Sequence, residues 1–210
     1  PQGEQGIINL TEGIFETTHP IDLISNVILT GQGPDLTTIG FESFLNNHTN
    51  KKIFKIIDSY NSEISNLTIS GGEAVSWFMG GSYEDYEANG AAISTFDSEI
   101  TLNNVVIKNN HSTFGGQLNF LNTDATLNNV HIEDNWGMSV VGIQAQSTTE
   151  LHNLILTNST ITNNKNYSVN LNFQTGVALR SWDNSVFIIN STIANNNVVN
   201  GFLSSTPSQN

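Results

Sequence analysis

Carboxylates and aromatic rings cluster in one long insertion, residues 73–89, and their types could bind a metal ion or a ligand. Its carboxylates include Glu84, Asp85 and Glu87, and its rings include Trp77, Tyr83 and Tyr86. Three close carboxylates suit Ca²⁺, a cation that prefers oxygen ligands, and rings in a long loop are typical of a binding surface. The insertion contains no Asp-x-Asp-x-Asp-Gly loop. An aromatic lid with a solvated acidic tip is therefore the alternative interpretation.

Basic side chains are scarce, which limits the partners that the chain can bind. The 210 residues contain 6 Lys and Arg against 19 Asp and Glu, a net charge of -13. This balance argues against binding to nucleic acid and to anionic membrane surfaces, and no apolar run approaches the ~20 residues that span a bilayer. Without cysteine there are no disulfides or thiolate zinc sites. The five histidines lack zinc-binding spacing, and we expect each to be an isolated surface residue.

A short repeat dominates the sequence, which contains 31 asparagines. Each copy reads Asn, two residues, Ile, and ends in a second polar residue three places later. The copies begin at Asn66, Asn104, Asn129, Asn158 and Asn190, with a weaker first copy at Asn26. The closing residues are Gly72, Asn110, Asn135, Asn164 and Asn196. Because Gly and Asn enter the left-handed region at low cost, we expect a left-handed turn at each closing position.

Each full repeat also carries an earlier strand, so the sequence predicts short strands joined by tight turns and almost no helix. One such unit cannot bury its apolar face alone, whereas stacked units can. Stacking predicts two internal aliphatic columns and ladders of Asn amides. The first column is Ile93, Leu118, Ile143 and Leu179, and the second is Ile69, Ile107, Ile132, Ile161 and Ile193.

Strand alternation then predicts two outward rows on the earlier strand. The rows are Ser94, Asn119, Gln144 and Arg180, and Phe96, Leu121, Gln146 and Trp182. Amides, one guanidinium and exposed rings suit a sugar chain, because rings stack on pyranose faces and amides bond hydroxyls. From these rows we select Asn119, Gln144, Gln146, Arg180 and Trp182 as candidate ligand-binding residues, together with the three rings of the insertion. The alternative is a solvated face with Trp182 packed under a loop.

These repeats resemble those of the right-handed parallel β-helix proteins of the pectate-lyase-like superfamily. The strand starts Asn89-Gly-Ala-Ala-Ile93 and Gly115-Gly-Gln-Leu118, followed by Ile-x-x-Asn, are also similar to repeats of polymorphic outer-membrane and other autotransporter-like adhesins. The resemblance implies an all-β, single-stranded right-handed parallel β-helix of about six coils with an asparagine ladder. We expect the β-helix domain to cover residues 1–203, with the insertion at 73–89, and a linker-like tail to follow at 204–210. Both ends look unfinished, which leaves three interpretations open: an excerpt of a longer chain, an end that packs against a partner, or a frayed terminus.

Such folds carry many functions, so three hypotheses follow. The first is a secreted or cell-surface binding and adhesion module for glycans or a host surface, with no cofactor unless the insertion binds Ca²⁺. The second is a polysaccharide-degrading enzyme, a lyase or hydrolase, in which Arg180 is the one cation on the predicted face. The third is a stalk that only provides length.

Overall fold

The structure is a computed structural model and describes residues 4–40, 52–74, 90–112, 116–137, 142–148, 150–167 and 178–198. In this part of the chain every regular element is a β-strand, as the turn-rich sequence predicts. The strands are β1 (Gly6–Asn9), β2 (Gly13–Glu16), β3 (Ile21–Asp22), β4 (Val27–Thr30), β5 (Thr37–Gly40), β6 (Phe54–Ile57), β7 (Ser62–Ser70), β8 (Glu73–Ala74), β9 (Ile93–Lys108), β10 (His111–Ser112), β11 (Leu118–Glu133), β12 (Trp136–Gly137), β13 (Ile143–Gln146), β14 (His152–Thr157), β15 (Thr160–Thr162), β16 (Lys165–Asn166), β17 (Leu179–Trp182), β18 (Asn184–Ile189), β19 (Thr192–Ala194) and β20 (Asn197–Val198).

The strands pair in parallel and form four stacks, with long strands contributing to more than one of them. The first stack is β3-β6-β9-β11-β13-β17, and the second is β1-β4-β7-β9-β11-β14-β18. The third is β2-β5-β7-β9-β11-β15-β19, and the fourth is β8-β10-β12-β16-β20. Successive repeats therefore place equivalent segments next to each other, an arrangement compatible with a parallel β-helix.

Both predicted aliphatic columns are present in the strand register. In the first column Ile93 pairs with Leu118, which pairs with Ile143, and all three side chains are fully buried. The second column runs through paired isoleucines and is buried up to Ile161. Its last member, Ile193, is 43 % exposed, because its strand β19 pairs on one side only among the described strands. Each fully buried side chain contributes about 1.5–3 kcal/mol to folding.

Left-handed turns separate the strands, and their residue types explain the abundance of Asn. Every described residue other than glycine with a positive φ is Asn or Asp, the types that tolerate this region best after Gly. The closing positions of the repeat were expected to be left-handed, and that expectation is wrong by one residue. The left-handed residues are Gly71, Asn109, Asp134, Asn163 and Asn195, each immediately before the closing residue.

The closing asparagines instead form a buried ladder, as the sequence predicts. Asn110 donates from Nδ2 to Oδ1 of Asn135 (3.1 Å), and Asn135 donates likewise to Asn164 (3.0 Å). Asn164 donates to Asn196 at 2.9 Å, and the backbone N–H of Gly72 donates to Oδ1 of Asn110 at 2.8 Å. The tight turn before each closing residue thus lets the amide point inward, where it satisfies its neighbours along the stack.

The leading asparagines Asn66, Asn104 and Asn129 form a second, more exposed ladder, but the weak first copy does not belong to it. Asn104 donates to Asn66 at 2.9 Å, and Asn129 donates to Asn104 at 2.8 Å. Asn26 instead accepts a hydrogen bond from Asn61, which lies in the turn directly before β7 and is not a leading asparagine. The pairing of Leu29 with Ile64 confirms that the Asn26 copy was assigned to the wrong column. The partner of Ile69 in the neighbouring repeat is Ile39.

Candidate functional site

The two predicted outward rows lie on the first stack in the expected register. Asn119 pairs with Gln144, which pairs with Arg180 in the next strand. In the second row Gln146 pairs with Trp182. Four candidate ligand-binding residues therefore lie on two adjacent short strands, β13 and β17. Because parallel strands are ~4.8 Å apart, their side chains form one small surface.

Arg180 and Trp182 are in direct contact on this surface. The guanidinium carbon of Arg180 lies 3.4 Å from the centroid of the Trp182 ring, which is a cation–π arrangement. Residues two apart in a strand point to the same side, so the strand itself holds the pair together. Trp182 is 38 % exposed, which leaves part of the indole in contact with solvent. We call Gln144, Gln146, Arg180 and Trp182 the Arg180 patch.

Asn119 does not extend this patch along the row. It is only 3 % exposed and its row neighbour Ser94 only 5 %, so the expectation that these two side chains face solvent is wrong. Alternation gives their direction correctly, but the exposure of an outward side chain also depends on what packs over the sheet. Gln144 and Arg180 in the same row are half-buried. A role for Asn119 in binding a ligand remains a prediction.

The candidate residues of the insertion lie outside the described residues. This applies to the three rings Trp77, Tyr83 and Tyr86 and to the weak calcium set Glu84, Asp85 and Glu87. Among the residues that are described, no group of three or more His, Asp or Glu side chains is arranged to hold a metal ion. The calcium hypothesis therefore stays a prediction from the sequence.

Histidines with partners on neighbouring strands contradict the expectation that all five are isolated surface residues. His111 is 9 % exposed, stacks on the ring of Trp136, and lies with Nδ1 3.6 Å from Oε1 of Glu73. His152 pairs through Nδ1 with Oδ2 of Asp124 at 3.2 Å. Both pairs join neighbouring strands, so the partners are distant in sequence. The spacing rules for zinc sites cannot detect such pairs.

Several contacts determine the direction in which the pKa of Asp124 is shifted. Partial burial acts to raise the pKa of Asp124, but hydrogen bonds outweigh this effect and hold the pKa below its usual value. Among these hydrogen bonds, the one from the backbone N–H of Asn153 (2.8 Å) lowers the pKa most, and the one from the side chain of His152 comes next. The carboxylate form of Asp124 is therefore favoured by folding.

We predict a small acid-dependent loss of stability from this carboxylate. A folded-state pKa below the unfolded one stabilises the protein above the unfolded pKa, and the effect disappears as the pH falls through the folded pKa. Asp124→Asn should therefore lower the free energy of unfolding at pH 7 by at most about 1 kcal/mol, since solvent screens this half-exposed group. Urea unfolding between pH 7 and 2 should show wild type and variant converging below about pH 4.

The control for this prediction is Glu99→Gln. Glu99 is exposed and is the register partner of Asp124 in the neighbouring strand. It should leave the unfolding free energy unchanged within about 0.5 kcal/mol at every pH, as surface substitutions usually do. A constant difference between wild type and Asp124→Asn across the whole pH range would contradict the assignment.

One further group of side chains was missed by the sequence analysis. Trp136, Lys165 and Tyr167 lie beside an open cleft on the fourth stack. A signal for them exists, because His111, Trp136 and Lys165 each follow a closing asparagine and the ladder puts them in register. The closing asparagines were assigned to a turn and to an amide ladder, and the row formed by the residues after them was not considered.

No protein family, curated protein or solved structure matches the chain. The resemblance to pectate-lyase-like proteins and to autotransporter-like adhesins therefore remains a prediction from the repeat residues. Within the described ranges no helix has the length and apolar character needed to cross a membrane.

Proposed function

We propose that the chain is a single-stranded right-handed parallel β-helix of about six coils that acts as a secreted or cell-surface glycan-binding module. The four parallel stacks and the two Asn ladders support the coil, and a right-handed crossover is the rule between parallel strands. The buried ladder ties neighbouring strands together through side chains as well as backbone. Side chains on the outside of such a stack have fixed spacing, which suits recognition of a repeating or extended ligand.

The observation that carries the binding proposal is the contact between Arg180 and Trp182. A guanidinium stacked on a ring keeps its N–H groups in its own plane, directed sideways from the ring. The partly exposed indole offers an apolar surface for the C–H face of a pyranose. Gln144 and Gln146 in the adjacent strand add amides that both donate and accept hydrogen bonds, which matches the mixed demand of sugar hydroxyls.

Binding of the full chain to a glycan array tests this proposal. We expect wild type to bind a subset of glycans and Trp182→Ala to weaken that binding by about tenfold, which corresponds to ~1.4 kcal/mol. Arg180→Lys should also weaken it, because an ammonium keeps the charge but loses the planar stack.

Phe187→Ala is the matched control for the array. Phe187 is also an exposed aromatic side chain, but it lies on the second stack, away from β13 and β17. Its substitution should leave binding unchanged. Equal binding by wild type and Trp182→Ala would overturn the proposal. So would turnover of a polysaccharide by the chain, which would favour the lyase or hydrolase hypothesis instead.

A further inference from the structure

The sequence contains seven Asn-x-Ser/Thr sequons, the motif at which a sugar is attached to an asparagine amide. Four of them arise from the repeat itself, because leading and closing asparagines of the ladders are followed by Ser or Thr two places later. Asn47 lies outside the described residues. Burial and hydrogen bonding separate the other six into amides that serve the fold and an amide that an enzyme can reach. The seven begin at Asn9, Asn47, Asn66, Asn110, Asn158, Asn166 and Asn190.

Two of the sequons begin at buried asparagines. Asn110 is 0 % exposed and Asn166 is 1 % exposed. Nδ2 of Asn110 donates to Oδ1 of Asn135 at 3.1 Å and to the backbone carbonyls of Ile69 and Lys108 at 3.2 and 2.9 Å. A sugar on this nitrogen replaces one of its two N–H groups and has no space inside the ladder. A chain modified at Asn110 therefore cannot form the described fold.

The sequon of Asn66 is held by hydrogen bonds at both of its polar side chains. Asn66 is half-buried, and its Nδ2 donates to the hydroxyl of Thr30 at 3.2 Å. Thr68, the hydroxyl residue of this sequon, is 1 % exposed and donates to a backbone carbonyl at 2.7 Å. Neither group is presented to an enzyme.

The sequons of Asn158 and Asn190 lie at the surface, but their amides are paired along the stack. Nδ2 of Asn158 donates to Oδ1 of Asn128 at 3.2 Å, and Nδ2 of Asn190 donates to Oδ1 of Asn158 at 2.6 Å. The hydroxyl of Thr160, in the first of these sequons, lies 2.8 Å from Nδ1 of His131. Modification at either asparagine would disturb these side-chain pairs.

Asn9 differs from these asparagines in both its exposure and its contacts. It lies on β1, where Ile8 is the register partner of the buried Leu29, so alternation turns Asn9 outward. Asn9 is exposed, and among the described residues its amide has no hydrogen-bond partner. Thr11, the hydroxyl residue of this sequon, is exposed as well. Among the described strands β1 pairs only with β4, which leaves space on its other side.

We propose that Asn9 is an N-glycosylation site and that the buried sequons of the folded chain stay unmodified. In the transfer, Nδ2 of Asn9 attacks C1 of a sugar carried by a glycosyl phosphate donor. The bond from C1 to the phosphate oxygen breaks, the phosphate leaves with the electron pair, and Nδ2 gives up one proton. The inference rests on the secreted or cell-surface location proposed above, because the chain meets the transferase and its donor on that route. It does not rest on glycan binding by the Arg180 patch.

A sugar at Asn9 would also protect the open edge of β1. Ile7 and Ile8 on this strand are 60 % and 50 % exposed. An open edge with apolar side chains is a template for pairing with a strand of another chain. Because Ile7 and Asn9 point to the same side of the strand, a hydrated oligosaccharide would stand beside the apolar edge and hinder such pairing.

Site mapping of the full chain after expression in a eukaryotic secretory host provides the test. The host's own secretion signal directs the chain, and the protease-resistant fraction from medium and cells together is analysed. Peptide N-glycosidase converts each modified Asn to Asp, and mass spectrometry of the peptides locates the change. We expect modification at Asn9 and none at Asn110 or Asn166.

Substitutions at Thr11 are the matched variants. Thr11→Ala removes the hydroxyl that the transferase recognises and should abolish modification of Asn9. Thr11→Ser keeps a hydroxyl and should retain the modification. Because Thr11 is exposed, both variants should remain protease-resistant to the same extent as wild type.

Three results would overturn the proposal. The first is an unmodified Asn9 in the protease-resistant fraction of wild type. The second is modification of Asn110 or Asn166 in that fraction to the same extent as Asn9. The third is modification of Asn9 that persists in Thr11→Ala. A modified Asn9 in a chain that binds no glycan on the array would contradict the binding proposal alone, so the two failures are distinguishable.

Discussion

Asn135→Ala should lower the free energy of unfolding by about 3–5 kcal/mol. Asn135 is 1 % exposed, and its Oδ1 accepts from the backbone N–H and the Nδ2 of Asn110 at 3.0 and 3.1 Å. Its Nδ2 donates to the carbonyl of Ile107 and to Oδ1 of Asn164. Alanine leaves several of these buried groups without a partner, and each such group costs about 1–3 kcal/mol. Urea unfolding followed by circular dichroism measures the change.

Asn129→Gly is the matched control for the ladder. Asn129 also donates from Nδ2 to the next asparagine, at 2.8 Å to Asn104, but it is exposed. Its φ is 54°, and glycine keeps this left-handed backbone without strain. Water replaces the lost hydrogen bond, so we expect a loss below about 1 kcal/mol. Equal losses of unfolding free energy in the two variants would mean that burial of the closing ladder does not explain its contribution to stability.

Gly142→Ala should destabilise the protein by about 3 kcal/mol through a steric clash. A Cβ at Gly142 would lie 1.8 Å from the carbonyl oxygen of Ala178. That oxygen accepts the 2.8 Å hydrogen bond from the backbone N–H of Ile143, which joins β13 to β17. Relieving the clash requires the two strands to separate, and such overpacking costs roughly 1–3 kcal/mol or more. The midpoint of thermal unfolding should fall accordingly.

Gly6→Ala separates this clash from a general effect of replacing glycine. The nearest atom to a Cβ at Gly6 is the carbonyl oxygen of Asn26 at 3.9 Å, an ordinary contact distance. We expect a change within about 0.5 kcal/mol, typical of surface substitutions. An unchanged melting midpoint in Gly142→Ala would contradict the close approach of β13 and β17. Because these strands carry the Arg180 patch, it would also weaken the binding proposal.

The internal columns and the buried ladder could be predicted because they depend on periodicity. Aliphatic residues and closing asparagines recur at equivalent places in each repeat, and stacking is the arrangement that buries them together. The left-handed turns could also be predicted in kind, since Asn and Asp tolerate that backbone. The sequence pattern could not place them to the residue. The closing amide must point inward, so the tight turn moves to the residue before it, as at Asn109 and Asp134.

Features that depend on what packs across strands could not be predicted in the same way. Alternation correctly turns Asn119 outward, but it says nothing about the neighbours that leave this side chain 3 % exposed. His111 and Trp136 stack because the ladder brings their strands into register. Asn26 has the local pattern of a leading asparagine, yet the strand after it, β4, pairs with the part of β7 around Ile64 and not with the part around Ile69. Each of these outcomes is set by tertiary neighbours and not by local sequence.

Distances between paired spin labels test the parallel stacking most directly. Ile7, Thr126 and Phe187 are exposed residues in one row across the second stack. Successive register pairs between neighbouring strands connect them. Because the chain has no native cysteine, cysteines introduced at these positions can be labelled cleanly. With ~4.8 Å per strand, the backbone separation should be about 19 Å for Ile7 to Thr126 and about 29 Å for Ile7 to Phe187. Pulsed electron resonance should therefore give single distances that increase with the number of strands. Equal distances for the two pairs, or a longer one for Ile7 to Thr126, would contradict the stacked parallel fold.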